Sequence, residues 1–494
     1  MVSTVLATVV APISTDPSSL VHIMPPLKRH KPDHKTIVTP RTALSATSFS
    51  SSKKTPRRGR AGRRRALKSK TELNGGTRTI ESAIIKDQEY LDFLSWQKKM
   101  GCPKTKLTLA EFSNTGRGMM ATKDIKAGEV IVQVPERTLI TMKSLQSLYG
   151  TRIARFENKV NAHMIIALHI ALLVQEPEKS GWLPYLRMLP KKFDTMPVRY
   201  PPELADMLPQ NARAHVEKQK AKIMSDYKTT LEFLQSNSDL LTRPLQYEEY
   251  EWAWLVVNTR CIYLDAKKQV AADNIALAPM LDFLNHTSEA KTEGFFCSKS
   301  KSYKIRTLLP YKKGEQVFIN YGPHDNCFIL VEYGFVTTNN PYNYVAVDND
   351  FLELSVPGET PTTKKEKLEL LETAGYFGDY VFHRNDVSFR LTTSMRLRLI
   401  NPFHMSSTAT QLAIAQWHNV INGELDQISP ENERMVPIYI EKICDQMLAC
   451  TKTKLSALAK KKTTFPVMHL QQVWIETRDI VLSILDKIHR KEQL

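Results

Sequence analysis

Two stretches of strand-like sequence, at about 105–140 and about 295–320, have roughly 110 residues with a helical pattern between them, at about 150–260. In the first, Gly128-Glu129 punctuates a turn before Val130-Ile131-Val132-Gln133-Val134. That apolar run is ended by Pro135, which has no N–H to continue a ladder. In the second, strand-like pieces fall at 295–309 and 315–320. Between them, 159–176 puts Val160, Met164, Ala167, Leu168 and Ala171 on one helical face, and 203–236 and 246–260 also read as helices. The expected architecture is α+β: one β domain carrying a helical insertion at about 150–260. After about 345 the chain reads as helix again. Its clearest element is 467–488, where Val467, Leu470, Trp474, Thr477, Val481, Ile484 and Ile488 recur at alternating three- and four-residue steps. Such a stripe packs inside a helical domain; a partner-binding helix is the sharper alternative. No internal repeat is present.

Charge separates a further segment. Residues 1–70 hold 15 Lys and Arg against Asp16 and Asp33, a net +13, which leaves +4 of the chain's +17 for the other 424 residues. Residues 1–80, rich in Ser, Thr, Pro, Lys and Arg, lack the apolar periodicity that offsets ordering entropy and are expected to be a disordered basic tail. Lys53-Lys54-Thr55-Pro56-Arg57-Arg58-Gly59-Arg60 and Arg63-Arg64-Arg65 suit nuclear import, or non-specific contact with a nucleic acid such as chromatin DNA; a solvated charge run is the bland reading. With the rest nearly neutral, nucleic-acid binding by the fold itself loses its main support. Because no Lys or Arg precedes Lys28, no secretory signal is expected; a mitochondrial transit peptide is a minor alternative to the nucleus, with the cytoplasm also open. No apolar run reaches 18 residues, so no membrane-spanning helix is expected. Cys102, Cys261, Cys297, Cys327, Cys444 and Cys450 form no C-x-x-C pair, which argues against a structural zinc site or any other metal and against a disulfide scaffold.

Three constellations carry the chemistry. Asn114-Thr115-Gly116-Arg117-Gly118-Met119-Met120-Ala121 fits G-x-G-x-x-A, but a turn and another strand follow it where a dinucleotide fold needs a helix. Its glycines are expected to let backbone approach a ligand closely. Asp282-Phe283-Leu284-Asn285-His286 puts a carboxylate, an amide and an imidazole together; alone, it reads as a polar loop. Gly314-Glu315-Gln316-Val317-Phe318-Ile319-Asn320-Tyr321-Gly322, with Asn326 and Glu332-Tyr333-Gly334-Phe335-Val336, ends a strand on an aromatic cluster; alone, it reads as core.

In this order the three segments resemble the SET domain. The long helical insertion, Gly181-Trp182-Leu183-Pro184-Tyr185-Leu186-Arg187-Met188-Leu189-Pro190 within it and the helical C-terminus are similar to the branch that includes the Rubisco large-subunit lysine methyltransferases. The resemblance covers about 90–490. It implies a SET domain at 90–345 and, at 346–494, an all-α substrate-binding domain. It further implies S-adenosyl-L-methionine as cofactor and a protein lysine, on a histone or other nuclear protein, as acceptor, in a monomer. Thr115 to Arg117 would line the cofactor through backbone. Arg260, with Thr259, matches the family's basic contact to the methionine carboxylate, where a guanidinium grips two oxygens. Asp282, Asn285 and His286 match the segment holding the amino-acid and adenine ends. Phe335 stands where a ring packs on adenine, with Tyr333 nearby, and Tyr321 matches the catalytic tyrosine.

Free lysine has a pKa near 10.4, so presenting its neutral amine at pH 7 costs about 4.6 kcal/mol. Desolvation lowers a buried lysine by up to about 3–5 units, so an aromatic channel supplies most of this and no histidine base is demanded. His286 is therefore expected to be structural or cofactor-binding. Asn320 precedes the tyrosine where many relatives carry Ser. Cys261 follows Arg260 where the branch's histidine-methylating member carries Asn, so histidine specificity is not carried over. Three other readings stand beside this one: a methyltransferase for a cytosolic, non-histone protein; an idle SET scaffold that binds partners; and a chromatin- or RNA-binding module driven by residues 28–70.

Overall fold

The computed structural model describes residues 82–156, 159–264 and 274–492. The basic tail, with its nuclear-import run, lies outside them. The chain divides into two compact units. Among the described residues the smaller holds only Ser82, Ala83 and Glu111–Gly116, and the larger holds the remainder.

The larger unit begins with α1 (Gln88–Lys99), capped by the Asp87 carboxylate, which accepts from the Tyr90 N–H. Along the chain follow β1 (Leu107–Phe112) and β2 (Gly116–Ala121), of which Glu111, Phe112 and Gly116 fall in the smaller unit, then β3 (Val130–Pro135) and β4 (Ile140–Thr141) of the larger. The insertion then supplies α2 (Met142–Tyr149), α3 (Ala162–Gln175), α4 (Leu183–Met188), α5 (Gln210–Gln235) and α6 (Tyr247–Arg260). Every residue from Ala162 to Ala171 is buried, so this part of α3 lies inside the core on all sides, with His163 and His169 among its apolar residues. The expected helix at 203–236 is broken instead: a short turn at Pro202–Ala205 stops before α5, whose N-cap is Pro209. The ring of Pro209 pushes Leu208 out of the α region.

Six strands return after the insertion: β5 (Cys261–Tyr263), β6 (Ile275–Leu277), β7 (Asn285–His286), β8 (Thr292–Cys297), β9 (Ser302–Thr307) and β10 (Gln316–Ile319). Each sheet combines strands from both sides of the insertion. β10 runs antiparallel to β2, with Gln316 opposite Met120, and parallel to β7, with Phe318 and Ile319 opposite Asn285 and His286. β9 joins β3 to β8, and β6 joins β4 to β5. One core from Tyr90 to Ile319 unites these sheets with the insertion helices.

Beyond α7 (Asn326–Tyr333) the chain is mainly helical, with α8 (Phe389–Arg398), α9 (Thr408–Ile421), α10 (Pro430–Ala459) and α11 (Phe465–His489). It also carries a small sheet that the sequence pattern does not foretell, of Tyr344–Ala346, Val381–His383 and Asp386–Val387. Strands of two or three residues are too short to show alternation. The stripe on α11 packs internally. Val467, Leu470 and Trp474 bury against Leu208, Val216 and Leu330, and Trp474 Nε1 donates to the Met207 carbonyl at 2.7 Å. The same helix brings Glu476 into the interior, where its carboxylate accepts from Asn326 at 2.6 Å and from Asn343 at 2.5 Å.

Candidate active site

The site forms where β2, β7 and β10 lie side by side. The side-chain amide of Asn285 donates to the Arg117 carbonyl at 3.0 Å, which ties the first constellation to the second across 168 residues. Gly118 lies between them. A Cβ there would stand 2.2 Å from Gln316 Nε2 and 2.7 Å from Asn285 Nδ2. The close approach expected of this glycine is therefore to the protein's own amides. Gly116 differs: its φ of 67° is left-handed and favours glycine for conformational reasons. Thr115 is exposed in the turn leading into β2, and the exposed Arg117 side chain donates to the Met188 carbonyl at 3.1 Å.

The third constellation joins through His286. The Tyr321 backbone N–H donates to His286 Nδ1 at 3.0 Å, and the Tyr321 hydroxyl donates to the Leu284 carbonyl at 2.8 Å. The turn carrying Tyr321 is held from both sides. Asn320 Nδ2 donates to the Ser288 carbonyl at 3.1 Å, while its Oδ1 accepts from the Gly322 N–H at 2.8 Å. Gly322, at φ 135°, takes a conformation that side chains rarely adopt.

Burial, with the neighbouring His324, pushes the His286 pKa down to about 4, against the Ile319 backbone, which favours the protonated form. His286 is thus a neutral structural acceptor at physiological pH and too weak a base to deprotonate an ammonium. Burial raises the Tyr321 phenol, so it stays a neutral donor. Rings close around it: His286 at 5.1 Å, Tyr333 at 5.0 Å and Phe335 at 6.3 Å between centroids, the last edge-on.

Arg260, at the end of α6, borders this cluster. Its Nη1 donates to the Asp282 carbonyl at 2.8 Å and lies 3.2 Å from Asp282 Oδ2. That carboxylate is fully buried and also accepts from the Tyr185 hydroxyl at 3.0 Å. Burial raises the Asp282 pKa, opposed first by the Arg260 charge. Tyr185 is fixed in turn by packing on Phe93 and Trp96 of α1. Thr259 bonds back to the Leu255 carbonyl at 2.8 Å, within its own helix.

S-adenosylmethionine fits these residues. Arg260 Nε and Asp282 Oδ1 are buried without a hydrogen-bond partner, one a donor such as a carboxylate needs, the other an acceptor such as an ammonium needs. The aromatic wall suits an adenine ring and a sulfonium.

Sequence reading missed the support beneath the site. Buried Asn258 donates to Glu332 Oε2 at 2.8 Å and to the Glu332 carbonyl at 3.0 Å, and His215 approaches Glu332 Oε1 at 2.5 Å. An Asn on the apolar face of a helix was the available signal, since a buried amide needs partners. No group of three or more His, Cys, Asp or Glu able to hold a metal ion occurs among the described residues. No helix among them is long and apolar enough to cross a membrane.

Comparison with known proteins agrees with this geometry. A family model described as the SET domain matches residues 116–322. SET domain-containing protein 4 of Mus musculus is 31% identical over 412 residues, covering 82% of this chain and 90% of that protein. The ribosomal lysine N-methyltransferase set11 of Schizosaccharomyces pombe is 27% identical over 359 residues, covering 72% and 86%. Among solved structures, the SET domain of LSMT bound to lysine and AdoHcy superposes with a TM-score of 0.58 at 20% identity, over 82% of this chain and 91% of that one, and so shares the fold.

Proposed function

The chain belongs to the SET-domain family of S-adenosylmethionine-dependent protein methyltransferases, in the branch of SET domain-containing protein 4, and from that premise we propose that it methylates a lysine side chain with Tyr321 as its catalytic residue. One observation carries the reading: the adjacent residues Asn285 and His286 tie the three segments together, Asn285 by its hydrogen bond to the Arg117 carbonyl and His286 by the one it accepts from the Tyr321 N–H. The names of relatives and neighbours that act on or bind lysine support that acceptor.

The cofactor supplies an electrophilic methyl on sulfur; the amine nitrogen gains it, a proton is released and a thioether remains. The chain's own residues prepare the amine. Tyr321, Tyr333 and Phe335 surround it with apolar faces, which disfavours the ammonium and offsets most of the cost of deprotonation. The proton leaves to water, since His286 is occupied and too weakly basic. The Tyr321 hydroxyl, its proton given to the Leu284 carbonyl, orients the amine by accepting a hydrogen bond from its N–H, and that alignment is where most of the remaining rate enhancement arises. Arg260, steadied by Asp282 and Tyr185, holds the cofactor's carboxylate. Asn285 and Arg117 contribute amide and backbone contacts, Thr115 a backbone contact, and Phe335 and Tyr333 ring faces.

The basic run at 53–65 supports import into the nucleus and a histone or another nuclear protein as substrate. A second reading, a non-histone protein, is favoured by the relative named for a ribosomal substrate. Incubating the full chain with methyl-labelled cofactor and, separately, nuclear and cytosolic extracts separates them. Label on a nuclear protein at lysine is expected; label confined to cytosolic proteins removes the nuclear substrate, and label on a residue other than lysine removes the acceptor.

A further inference from the structure

Charge averaged over the folded residues is small, yet one surface cavity concentrates it. A depression of about 840 Å³ is lined by Arg137, Lys143 and Lys301 together with Ser144, Ser300 and Phe296. The single acid in its lining, Glu136, is engaged by Lys143 at 3.3 Å. Three parts of the chain are tied around it. Arg137 Nε donates to the Met100 carbonyl at 2.8 Å, just after α1, and the Glu136 N–H donates to the Lys301 carbonyl at 2.9 Å, at the tip of the β8–β9 hairpin. Lys98 and Lys99, exposed at the end of α1, precede the lining residue Gly101, and exposed Lys299 stands on the hairpin turn. The Cys297 thiol at this tip is lowered to about 7, by hydrogen bonds from Ser300 and secondarily by the Lys304 charge.

We propose that this cavity docks the phosphate backbone of a nucleic-acid strand. Ammonium, guanidinium and hydroxyl groups presented by three separate elements suit successive phosphates. Phe296, 40% exposed beside them, offers a ring on which a base stacks, whereas the aspartates and glutamates of an acidic peptide carry no ring to cover it. The cavity also reaches Leu264, directly after β5, whose Tyr263 lies near enough to Tyr333 for its phenol to oppose ionisation there. A protein substrate carried on nucleic acid would then be held on the same domain as the aromatic cluster. This last link rests on the methyltransferase reading, whereas the docking itself does not.

The test is fluorescence anisotropy of a labelled oligouridylate of about 20 nucleotides with the full chain, over a range of salt. Lys143→Glu/Lys301→Glu is compared with Lys452→Glu/Lys460→Glu, which makes the same change in net charge at exposed positions elsewhere and leaves the basic tail in both. The cavity variant is expected to bind at least about tenfold more weakly than the control, with a salt slope shallower by about 1.4, two single-strand phosphate contacts. Phe296→Ala is expected to weaken binding by about 1 kcal/mol or more, roughly fivefold. Equal affinities and slopes for the two charge variants overturn the proposal. So does a Glu-rich peptide that depends on Lys143 and Lys301 as strongly as the oligonucleotide does while Phe296→Ala affects neither. No methyl transfer is read, so failure here is distinct from failure of the enzymatic reading.

Discussion

The backbone N–H of Tyr321 donates to Nδ1 of His286 at 3.0 Å, so the imidazole serves as an acceptor that fixes the position of the tyrosine. With the His286 pKa pushed to about 4, the folded state binds fewer protons than the unfolded chain between about pH 4 and pH 6.5. Stability from this residue is fully present above pH 6.5 and is lost as pH falls towards 4. Between about pH 7.5 and 4.5 that loss amounts to about 2.5 kcal/mol. His163, His169, His324 and His469 are lowered in the same direction, so the parent's acid destabilisation is collective. Urea unfolding of parent and His286→Gln at the two pH values isolates this one contribution. The variant is expected to lose about 2.5 kcal/mol less than the parent; identical losses would show that His286 is not held neutral.

Tyr321→Phe keeps the ring contacts with His286, Tyr333 and Phe335 and removes only the hydroxyl. Turnover is expected to fall by about 10²-fold or more, the scale of losing one placed hydrogen-bonding group at a reacting centre. Cofactor affinity should stay within about threefold. Single-turnover methylation and calorimetry measured together check this, and unchanged turnover would take Tyr321 out of the mechanism.

Gly118→Ala tests the close approach at the cofactor site. The new methyl must displace the ends of Gln316 and Asn285, both flexible side chains, so the fold should survive with a loss of about 1–2 kcal/mol. Moving Asn285 breaks its bond to the Arg117 carbonyl, and the Kd for S-adenosylmethionine is expected to rise more than tenfold. Thermal melting with and without cofactor reads both effects: an apo melting temperature lowered by a few degrees and a reduced ligand-induced shift.

On the proposed reading Asp282 serves the cofactor twice, through its free Oδ1 and by steadying Arg260. Asp282→Ala leaves a largely buried guanidinium without its counter-charge, a cost of about 3–5 kcal/mol. Tyr185→Phe removes one hydrogen bond to the same carboxylate, at about 1 kcal/mol. A double-mutant cycle on denaturant unfolding should show the two losses to be non-additive, because both act on one carboxylate. Additive losses would mean that the three groups do not form a single chain.

The order of the three constellations was legible because each is local. A strand such as β3 announces itself by an apolar run between Gly128 and Pro135, and a turn such as Asn320–Gly322 by its residue types. What the sequence hides is long-range. Tyr185 meets Asp282 across 97 residues and Asn258 meets Glu332 across 74, pairings that only the packing of helices in the folded core creates. Gly118 read as room for a ligand because its actual neighbours, Gln316 and Asn285, belong to segments 198 and 167 residues away. The near-neutral net charge of the folded part hid the cationic cavity, since a sum over residues carries no position.

Isothermal titration of the full-length chain with S-adenosylmethionine tests the central claim most directly. Single-site binding is expected, weakened at least about tenfold by Arg260→Ala while Tyr321→Phe still binds, because the guanidinium grips the ligand and the phenol serves the transfer. An absence of binding heat across a range of temperatures, or binding that Arg260→Ala leaves unchanged, would contradict a methyl-donor site at the junction of β2, β7 and β10.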